Sequence, residues 1–283
     1  MNELMGRSNS VNMVAVEESA SIAEIQAKMI LARNFPRNVE SCLEYIKLEC
    51  QNKGLAEKAS YEFPRGDSVV RGPSIRLVEC VARHWGNVLS GIKEVSSNDK
   101  EATVKAYCWD LETNFADEKV FTVPYVRTTK KNGKIPLTDE RDRYEMMANM
   151  GARRKRACIQ AVIPQFVIDE AMEYCSKTLE ESLKGKNIED IKNAMLDAFK
   201  AKADWITPTD FEAVIGKPFE NINAKDIVKL RNLYNAINDG FVKPEVAFKK
   251  ETDNSAVVDD KAADTLDSIN KLFGGAADGT NEG

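Results

Sequence analysis

The 283-residue sequence predicts an α+β protein: an antiparallel sheet, made of a hairpin and a three-stranded meander, packed with helices. Apolar residues recur at helical spacing, alternating runs lie between them, and dense turn signals separate those runs. Helices, a hairpin, a helix, a meander and a long helix follow in an order typical of this class. We expect a flexible N-terminus at 1–20, an α+β core at 21–180, a small helical C-terminal domain at 186–248 and a disordered acidic tail at 249–283.

The first half of the core is predicted to contain two helices, a hairpin and a third helix. Apolar residues recur every three or four positions at 22–31 and 38–53, and an Asn-Phe-Pro stretch separates these helices. Strand-like runs at 59–63 and 68–70 flank a Pro-Arg-Gly-Asp turn signal. The helix that follows is expected to include Pro73 in its first turn.

Three strands are then predicted at 87–95, 102–111 and 119–126. In the middle strand both faces carry bulky side chains, so the alternation does not show which face is buried. The segment at 128–137 is predicted to be an exposed basic loop. It carries Lys130, Lys131 and Lys134 and directly follows Arg127.

A helix predicted at 142–163 carries four consecutive cations: Arg153, Arg154, Lys155 and Arg156. One stripe of it is expected to face the core, namely Tyr144, Met147, Ala148, Gly151, Cys158, Ile159 and Val162. Arg153 and Arg156 fall on the opposite, polar face, where a row of cations suits a phosphate backbone. Arg154 lies on the flank. Lys155 projects from the apolar stripe, and three explanations are open. Its stem reaches water along the core, the helix is distorted at this position, or the ammonium enters a groove between elements.

Charge is distributed unevenly along the chain. The formal net charge is -5, yet ten cations and four anions lie between Val120 and Gln160. A local positive field on an acidic chain favours a specific anionic partner. An ordinary solvated charged face is the alternative interpretation.

Several classes of protein are disfavoured. No apolar run approaches the roughly 20 residues that span a bilayer, so we expect no membrane partner and a cytoplasmic location. The six dispersed cysteines form no CxxC pair and are interpreted as reduced core residues, not zinc ligands. His84, the single histidine, is interpreted as structural. The absence of a Gly-x-x-x-x-Gly-Lys-Ser/Thr loop disfavours an ATPase.

One carboxylate cluster offers an enzymatic alternative. Asp139, Glu140, Asp142 and Glu145 lie close together in sequence and could bind Mg²⁺ for phosphodiester cleavage. Acidic residues in a first helical turn also stabilise the helix dipole, which accounts for them without a metal. A Mg²⁺-dependent nuclease therefore remains one alternative, and a non-catalytic replication or packaging scaffold is another.

The order of four short motifs resembles the phage Redβ/RecT superfamily of single-strand annealing proteins. The motifs are Tyr61-Glu-Phe-Pro-Arg-Gly66, Gly72-Pro-Ser-Ile-Arg-Leu77, Tyr107-Cys-Trp-Asp110 and Arg153-Arg-Lys-Arg-Ala-Cys-Ile-Gln160. The resemblance covers about residues 20 to 175 and depends on motif order. Two departures from the family pattern are Pro164, which ends the helix early, and Met150, where a cation is expected.

The resemblance implies ATP-independent annealing of complementary single-stranded DNA, with no cofactor and no bond chemistry. It also implies a homo-oligomeric ring or helical filament in the cytoplasm of a bacterial host, with single-stranded DNA and the annealed duplex intermediate as its partners. The helical C-terminal domain would bind a phage exonuclease or a host single-strand binding protein. Arg154, Lys155 and Arg156 match the family's cationic helix as phosphate ligands. On physical grounds alone we add the loop cations Arg65, Arg127, Lys130, Lys131 and Lys134.

Overall fold

The computed structural model describes residues 19–66, 68–129 and 133–249, and these ranges have the predicted α+β class. A hairpin and a three-stranded antiparallel meander pack with helices, and further helices follow. The chain before residue 19, the acidic tail after residue 249, and Lys130 and Lys131 lie outside the described ranges. Within those ranges, no helix is long and apolar enough to cross a membrane.

The N-terminal half begins with three helices, a hairpin and a fourth helix. Their bounds are α1 (19–34), α2 (Val39–Cys50), α3 (Lys53–Ala56), β1 (Ser60–Arg65), β2 (Ser68–Pro73) and α4 (Ile75–Trp85). Ser74 is the N-cap of α4, and its hydroxyl accepts a hydrogen bond from the Leu77 N–H. The expectation that Pro73 lies inside this helix is therefore wrong: Pro73 ends β2, because the cap directly after it starts the helix.

The meander comprises β3 (Val88–Ser97), β4 (Glu101–Asp110) and β5 (Phe115–Pro124), with β4 in the centre. One face of β4 is buried and the other is half-buried: Ala102, Val104, Ala106 and Cys108 lie inside, whereas Thr103, Lys105, Tyr107 and Trp109 are partly exposed. The segment predicted as a basic loop forms a second hairpin, β6 (Val126–Thr129) with β7 (Gly133–Pro136).

Helix α5 (Glu140–Val162) carries the four cations and packs on the buried face of the meander. A Cβ atom on Gly151 would lie 2.7 Å from Ile92 Cδ1, so a glycine at this position permits the close approach of α5 to β3. Ala148 was predicted to face the core, and this is wrong, because it is exposed. Tyr144 was also predicted to face the core, and this is wrong too, because its side chain is 69% exposed. It lies in the turn before Met147, where the helix begins to contact the apolar end of the sheet.

Helix α6 (Gln165–Leu183) was not predicted from the sequence, although Pro164 correctly marks the end of α5. Its apolar side chains Val167, Ile168 and Cys175 pack with α2, α4 and the end of α5 in the largest core cluster. All six cysteines are buried free thiols, as the sequence predicts.

The C-terminal part is helical, as predicted. It contains α7 (Ile188–Lys200), α8 (Pro208–Ile215), a 3₁₀ helix (Phe219–Asn221), α9 (Ala224–Asn238) and α10 (Pro244–Ala247). Asn223 caps α9, and Asp226 completes a capping box. The core of these helices also includes Tyr61 of β1, so the first hairpin packs against the C-terminal helices.

A buried ionic network joins the α1–α2 connection to the end of the meander. Arg37 donates from Nη2 to Asp110 Oδ1 at 2.6 Å and from Nε to Glu112 Oε1 at 2.8 Å. Glu112 Oε1 also accepts from Asn87 Nδ2 at 2.6 Å, and the Arg37 guanidinium lies 4.9 Å from the Trp85 ring centre. Because the ionic side chains are mostly inaccessible, water screens these charges weakly.

We expect acid to weaken this network. Burial alone raises the pKa of Glu112, but hydrogen bonds from Asn87 and Arg37 outweigh burial and leave that pKa below its ordinary value. The stabilisation from Glu112 is therefore complete above the unfolded pKa of about 4.3 and is lost as pH falls through the lower folded value. Urea unfolding between pH 7 and pH 3 should show this loss below about pH 5. A Glu112→Gln variant that loses stability as steeply as the parent in this range would contradict the assignment.

Candidate nucleic-acid interface

The four-cation run of α5 is largely engaged in contacts within the protein. Arg156 is only 9% exposed, and its guanidinium lies 4.9 Å from the Tyr61 ring centre and 4.7 Å from that of Phe241. A guanidinium held against two aromatic faces is a packing element as well as a charge. Arg156 therefore joins α5 to the first hairpin and to the turn after α9.

Arg153 contacts the same turn from one helical turn earlier. Its Nη2 donates to the carbonyls of Asp239 at 3.3 Å and Gly240 at 3.2 Å, and its guanidinium lies 5.4 Å from the Phe241 ring centre. The carbonyls belong to the C-terminal end of α9, where a cation is favoured by the helix dipole. Arg153 and Arg156 thus fix the C-terminal helices to the core.

The other two cations of the run contact different elements. The Arg154 guanidinium lies 4.4 Å from the Phe121 ring centre on β5, and its Nη1 donates to the Met150 carbonyl at 3.1 Å. Lys155 Nζ forms a 2.8 Å ion pair with Glu79 Oε1 of α4, and the lysine side chain is 19% exposed. Of the alternatives given for Lys155, the structure thus shows the ammonium between two helices, paired with a carboxylate.

These contacts correct the interpretation of the polar face of α5. Arg153 and Arg156 share a face as predicted, but the face is covered by the turn at Phe241 and by Tyr61. Helical periodicity groups residues by direction and does not reveal what packs against them. The partner carbonyl of Gly240 lies 87 positions from Arg153 in sequence, and no local signal predicts that contact.

A more accessible basic surface lies at the opposite end of α5. We call it the basic end and define it by four exposed residues: Arg127 of β6, Lys134 of β7, and Arg141 and Tyr144 of α5. The Arg141 side chain is 85% exposed and forms a 3.5 Å ion pair with Glu145, and Tyr144 is 69% exposed. Exposed cations beside an exposed aromatic ring can bind both phosphates and unstacked bases.

Arg143 connects the two elements of the basic end. Its Nε donates to the Leu137 carbonyl at 2.8 Å, and its guanidinium lies 4.8 Å from the Tyr125 ring centre. Leu137 and Tyr125 flank the β6–β7 hairpin and are themselves joined by a backbone hydrogen bond of 2.8 Å. The hairpin is therefore fixed against the first turns of α5.

The predicted site residues do not form one cluster. At 1.5 Å per residue, the 15 positions between Arg141 and Arg156 span about 22 Å of helix axis. Arg65 is exposed at the end of β1, in the other hairpin. Lys130 and Lys131 lie outside the described residues, between Arg127 and Lys134 in sequence.

A groove among the described residues does not contain the predicted site. It has a volume of about 700 Å³ and lies between β2, α6 and the start of α9. Its charged lining is balanced, with Arg71, Lys177 and Lys225 against Asp169, Glu173 and Glu180. Such a groove has no net positive potential to attract a nucleic-acid backbone.

The carboxylates considered for a nuclease have structural contacts at the start of α5. Asp139 is the N-cap and accepts hydrogen bonds from the backbone N–H groups of Arg141 and Asp142. Glu145 pairs with Arg141 one turn later. Within the described ranges, these acidic residues do not form a group with metal-binding spacing.

Comparisons with protein-family models, with curated proteins and with solved structures found no match to this chain.

Proposed function

We propose that this protein binds single-stranded DNA and anneals complementary strands without ATP, as a non-enzymatic component of phage-type recombination. The observation that carries the proposal is the basic end, where Arg127 and Lys134 of the β6–β7 hairpin and Arg141 of α5 are exposed together with the ring of Tyr144. Phosphate contacts supply affinity without regard to sequence and leave base edges accessible to a second strand. The motif order shared with the Redβ/RecT superfamily supports the same function.

The proposal includes the arrangement that the resemblance implies. Copies of the protein would assemble as a ring or filament in the cytoplasm of a bacterial host, so that weak contacts add along one DNA strand. Single-stranded DNA and the annealed duplex intermediate would be its nucleic-acid partners, and the C-terminal helices would bind an exonuclease or a single-strand binding protein. Arg153 and Arg156 hold those helices against the core that carries the basic end.

An annealing assay tests the proposed function directly. Two complementary oligonucleotides, one with a fluorophore and one with a quencher, are mixed with the protein in the absence of ATP. We expect duplex formation faster than in the protein-free reaction, with the acceleration decreasing as salt increases. A rate equal to the protein-free rate would exclude annealing, and shortened strands that appear only with Mg²⁺ would indicate the nuclease instead.

Removing the cations of the basic end should change the salt dependence of DNA binding. For the triple variant Arg127→Gln, Lys134→Gln, Arg141→Gln we expect weaker binding and a log–log salt slope that is shallower by about 0.7 per lost phosphate contact, or about 2 in all. Fluorescence anisotropy with a labelled oligonucleotide measures this slope. Lys177→Gln is the matched control, because that lysine is 61% exposed on α6, outside the basic end.

Substitution of the uncharged Tyr144 provides a second test of DNA binding at the basic end. Tyr144→Ala should weaken binding by about 1–3 kcal/mol through lost base stacking and leave the salt slope unchanged, whereas Tyr144→Phe should retain affinity. Equal affinity in the alanine and phenylalanine variants would exclude stacking on this ring. A triple cation variant with the parent's salt slope would exclude the basic end as the phosphate-binding surface.

A further inference from the structure

Three side chains with metal-binding chemistry lie together on the side of the protein formed by α2 and α4. They are Glu49 at the end of α2, and Cys80 and His84 of α4. One ligand atom from each, a carboxylate oxygen, the thiol sulfur and an imidazole nitrogen, lies within 4.8 Å of the other two. Cys80 and His84 are four residues apart, so both point from the same face of α4.

The spacing of these atoms is close to that around a tetrahedral zinc ion. Zinc bonds of about 2.3 Å to sulfur and 2.0–2.1 Å to nitrogen or oxygen place neighbouring ligand atoms about 3.3–3.6 Å apart. Glu49 Oε1 and His84 Nε2 are already 3.6 Å apart, and the upper limit of 4.8 Å for the other pairs requires a contraction of at most about 1 Å by side-chain rotation. Since α2 packs directly on α4, the backbone already holds the three residues in range.

The hydrogen bonding of His84 supports a ligand role. Its Nε2 atom is buried and has no hydrogen-bond partner among the described residues; Glu49 Oε1 lies 3.6 Å away, beyond hydrogen-bond distance. Buried polar atoms are normally satisfied, so an unsatisfied ring nitrogen facing a carboxylate needs an explanation. The ring is also oriented by Tyr45, which stacks on it with centroids 6.1 Å apart. A metal ion between Nε2 and the carboxylate would satisfy both groups.

We propose that Glu49, Cys80 and His84 form a binding site for one Zn²⁺ ion. A thiolate and a carboxylate balance the charge of the ion, and the Cys80 thiol gives its proton to solvent on binding. The sulfur and imidazole ligands select zinc over Mg²⁺ and Ca²⁺, which prefer all-oxygen sites. The Glu49 side chain is 43% exposed, so the ion is accessible and a water molecule can complete the fourth position.

The sequence interpretation missed this site for an identifiable reason. Paired cysteines and several histidines are the usual sequence pattern of a zinc site, whereas the three proposed ligands come from two helices, and Glu49 lies 31 positions before Cys80. Only the one-turn spacing of Cys80 and His84 was available as a local signal. The site is independent of the proposed DNA-binding function, because it shares no residue with the basic end.

Cobalt spectroscopy with the full-length protein tests the site. After chelator treatment, titration with Co²⁺ should give a thiolate-to-cobalt absorption band that saturates at one equivalent and disappears when Zn²⁺ is added. Cys80→Ser should abolish the band, and His84→Ala and Glu49→Gln should each weaken Co²⁺ binding by at least about tenfold. Cys42→Ser is the matched control: it removes a buried thiol from α2 outside the ligand set and should leave the titration unchanged.

Thermal unfolding gives a second measurement, which does not depend on the cobalt absorption band. Zn²⁺ should raise the Tm of the parent and of Cys42→Ser and should not raise that of Cys80→Ser. No cobalt–thiolate band at one equivalent, or a band that persists in Cys80→Ser, would overturn the proposal. If Cys80→Ser fails to fold, the test depends on His84→Ala and Glu49→Gln, because both side chains lie partly at the surface. Co²⁺ binding equal to that of the parent in both variants would exclude the site.

Discussion

Replacement of Arg37 by alanine is expected to destabilise the protein by about 3–5 kcal/mol, the largest effect of any single change considered. The guanidinium is the cationic partner of two carboxylates, Asp110 and Glu112, and the Arg37 and Asp110 side chains are 8% and 6% exposed. Removing it leaves both carboxylates with reduced access to water and without their counter-charge. That desolvation cost exceeds the value of a surface ion pair, which is about 0–1 kcal/mol.

The position of the network increases the expected effect. Arg37 lies between α1 and α2, whereas both carboxylates lie at the end of β4 and in the turn after it. The network therefore fixes the N-terminal helices to the meander, and Trp85 of α4 packs under the guanidinium. Burial alone lowers the pKa of Arg37, but its bonds to the two carboxylates raise that pKa above the ordinary value, so the cation is stable in this position.

Urea denaturation at pH 7, followed by tryptophan fluorescence, measures the loss. Arg33→Ala is the matched control, since Arg33 is an exposed arginine four positions earlier, and its loss should be within about 0.5 kcal/mol. Adding Asp110→Asn and Glu112→Gln to the Arg37 variant should recover part of the stability, because the stranded charges are then neutral. Equal losses in the Arg33 and Arg37 variants would show that the network does not stabilise the fold.

Replacement of Arg156 by alanine is expected to cost about 2–4 kcal/mol. Two cation–π contacts, with Tyr61 and Phe241, contribute about 1–2 kcal/mol each when they are shielded from water. The arginine stem is buried with the guanidinium, so the alanine variant also loses packing between α5 and the first hairpin. Arg156→Lys keeps the charge but loses the planar group, and its loss should be intermediate.

The Arg156 variant also separates a structural role from DNA binding. If the side chain acts through packing, Arg156→Ala lowers the urea midpoint, and the folded variant binds oligonucleotides with the parent's salt slope. If the guanidinium contacts phosphate, the slope becomes shallower by about 0.7 while the protein is still folded. A parent-like urea midpoint would contradict the packing role. The same pair of measurements on Arg154→Ala tests the cation that covers Phe121.

Local patterns correctly predicted most helices and strands. Pro164 was recognised as the end of α5, because the effect of proline on a helix acts within one helical turn. The basic segment at 128–137 was predicted to be a loop, since a hairpin of four-residue strands has too short a pattern to be distinguished from one. Helix α6 was missed as an element, although its apolar residues belong to the largest core cluster.

The candidate site depended much more on tertiary structure. Sequence identified a basic region from Arg127 to Arg156, but it treated the four-cation run as the centre of that region and Tyr144 as a core residue. Tyr144 is instead 69% exposed, and within the run Arg156 is only 9% exposed whereas Arg153, Arg154 and Lys155 are partly exposed. Periodicity gives only the direction of a side chain from the helix axis, and a buried direction requires a second element on that side.

By itself, the sequence determined the α+β class, the order of the elements and the basic character of one region, because propensities, caps and charge depend on nearby residues. Tertiary structure alone decided which cations remain accessible, by packing Phe241 against Arg153 and Arg156. It also placed Glu49 beside Cys80 and His84, forming the proposed zinc site. In each case the deciding partner lies far away in the chain, and only packing of the two segments brings the charges and ligands together.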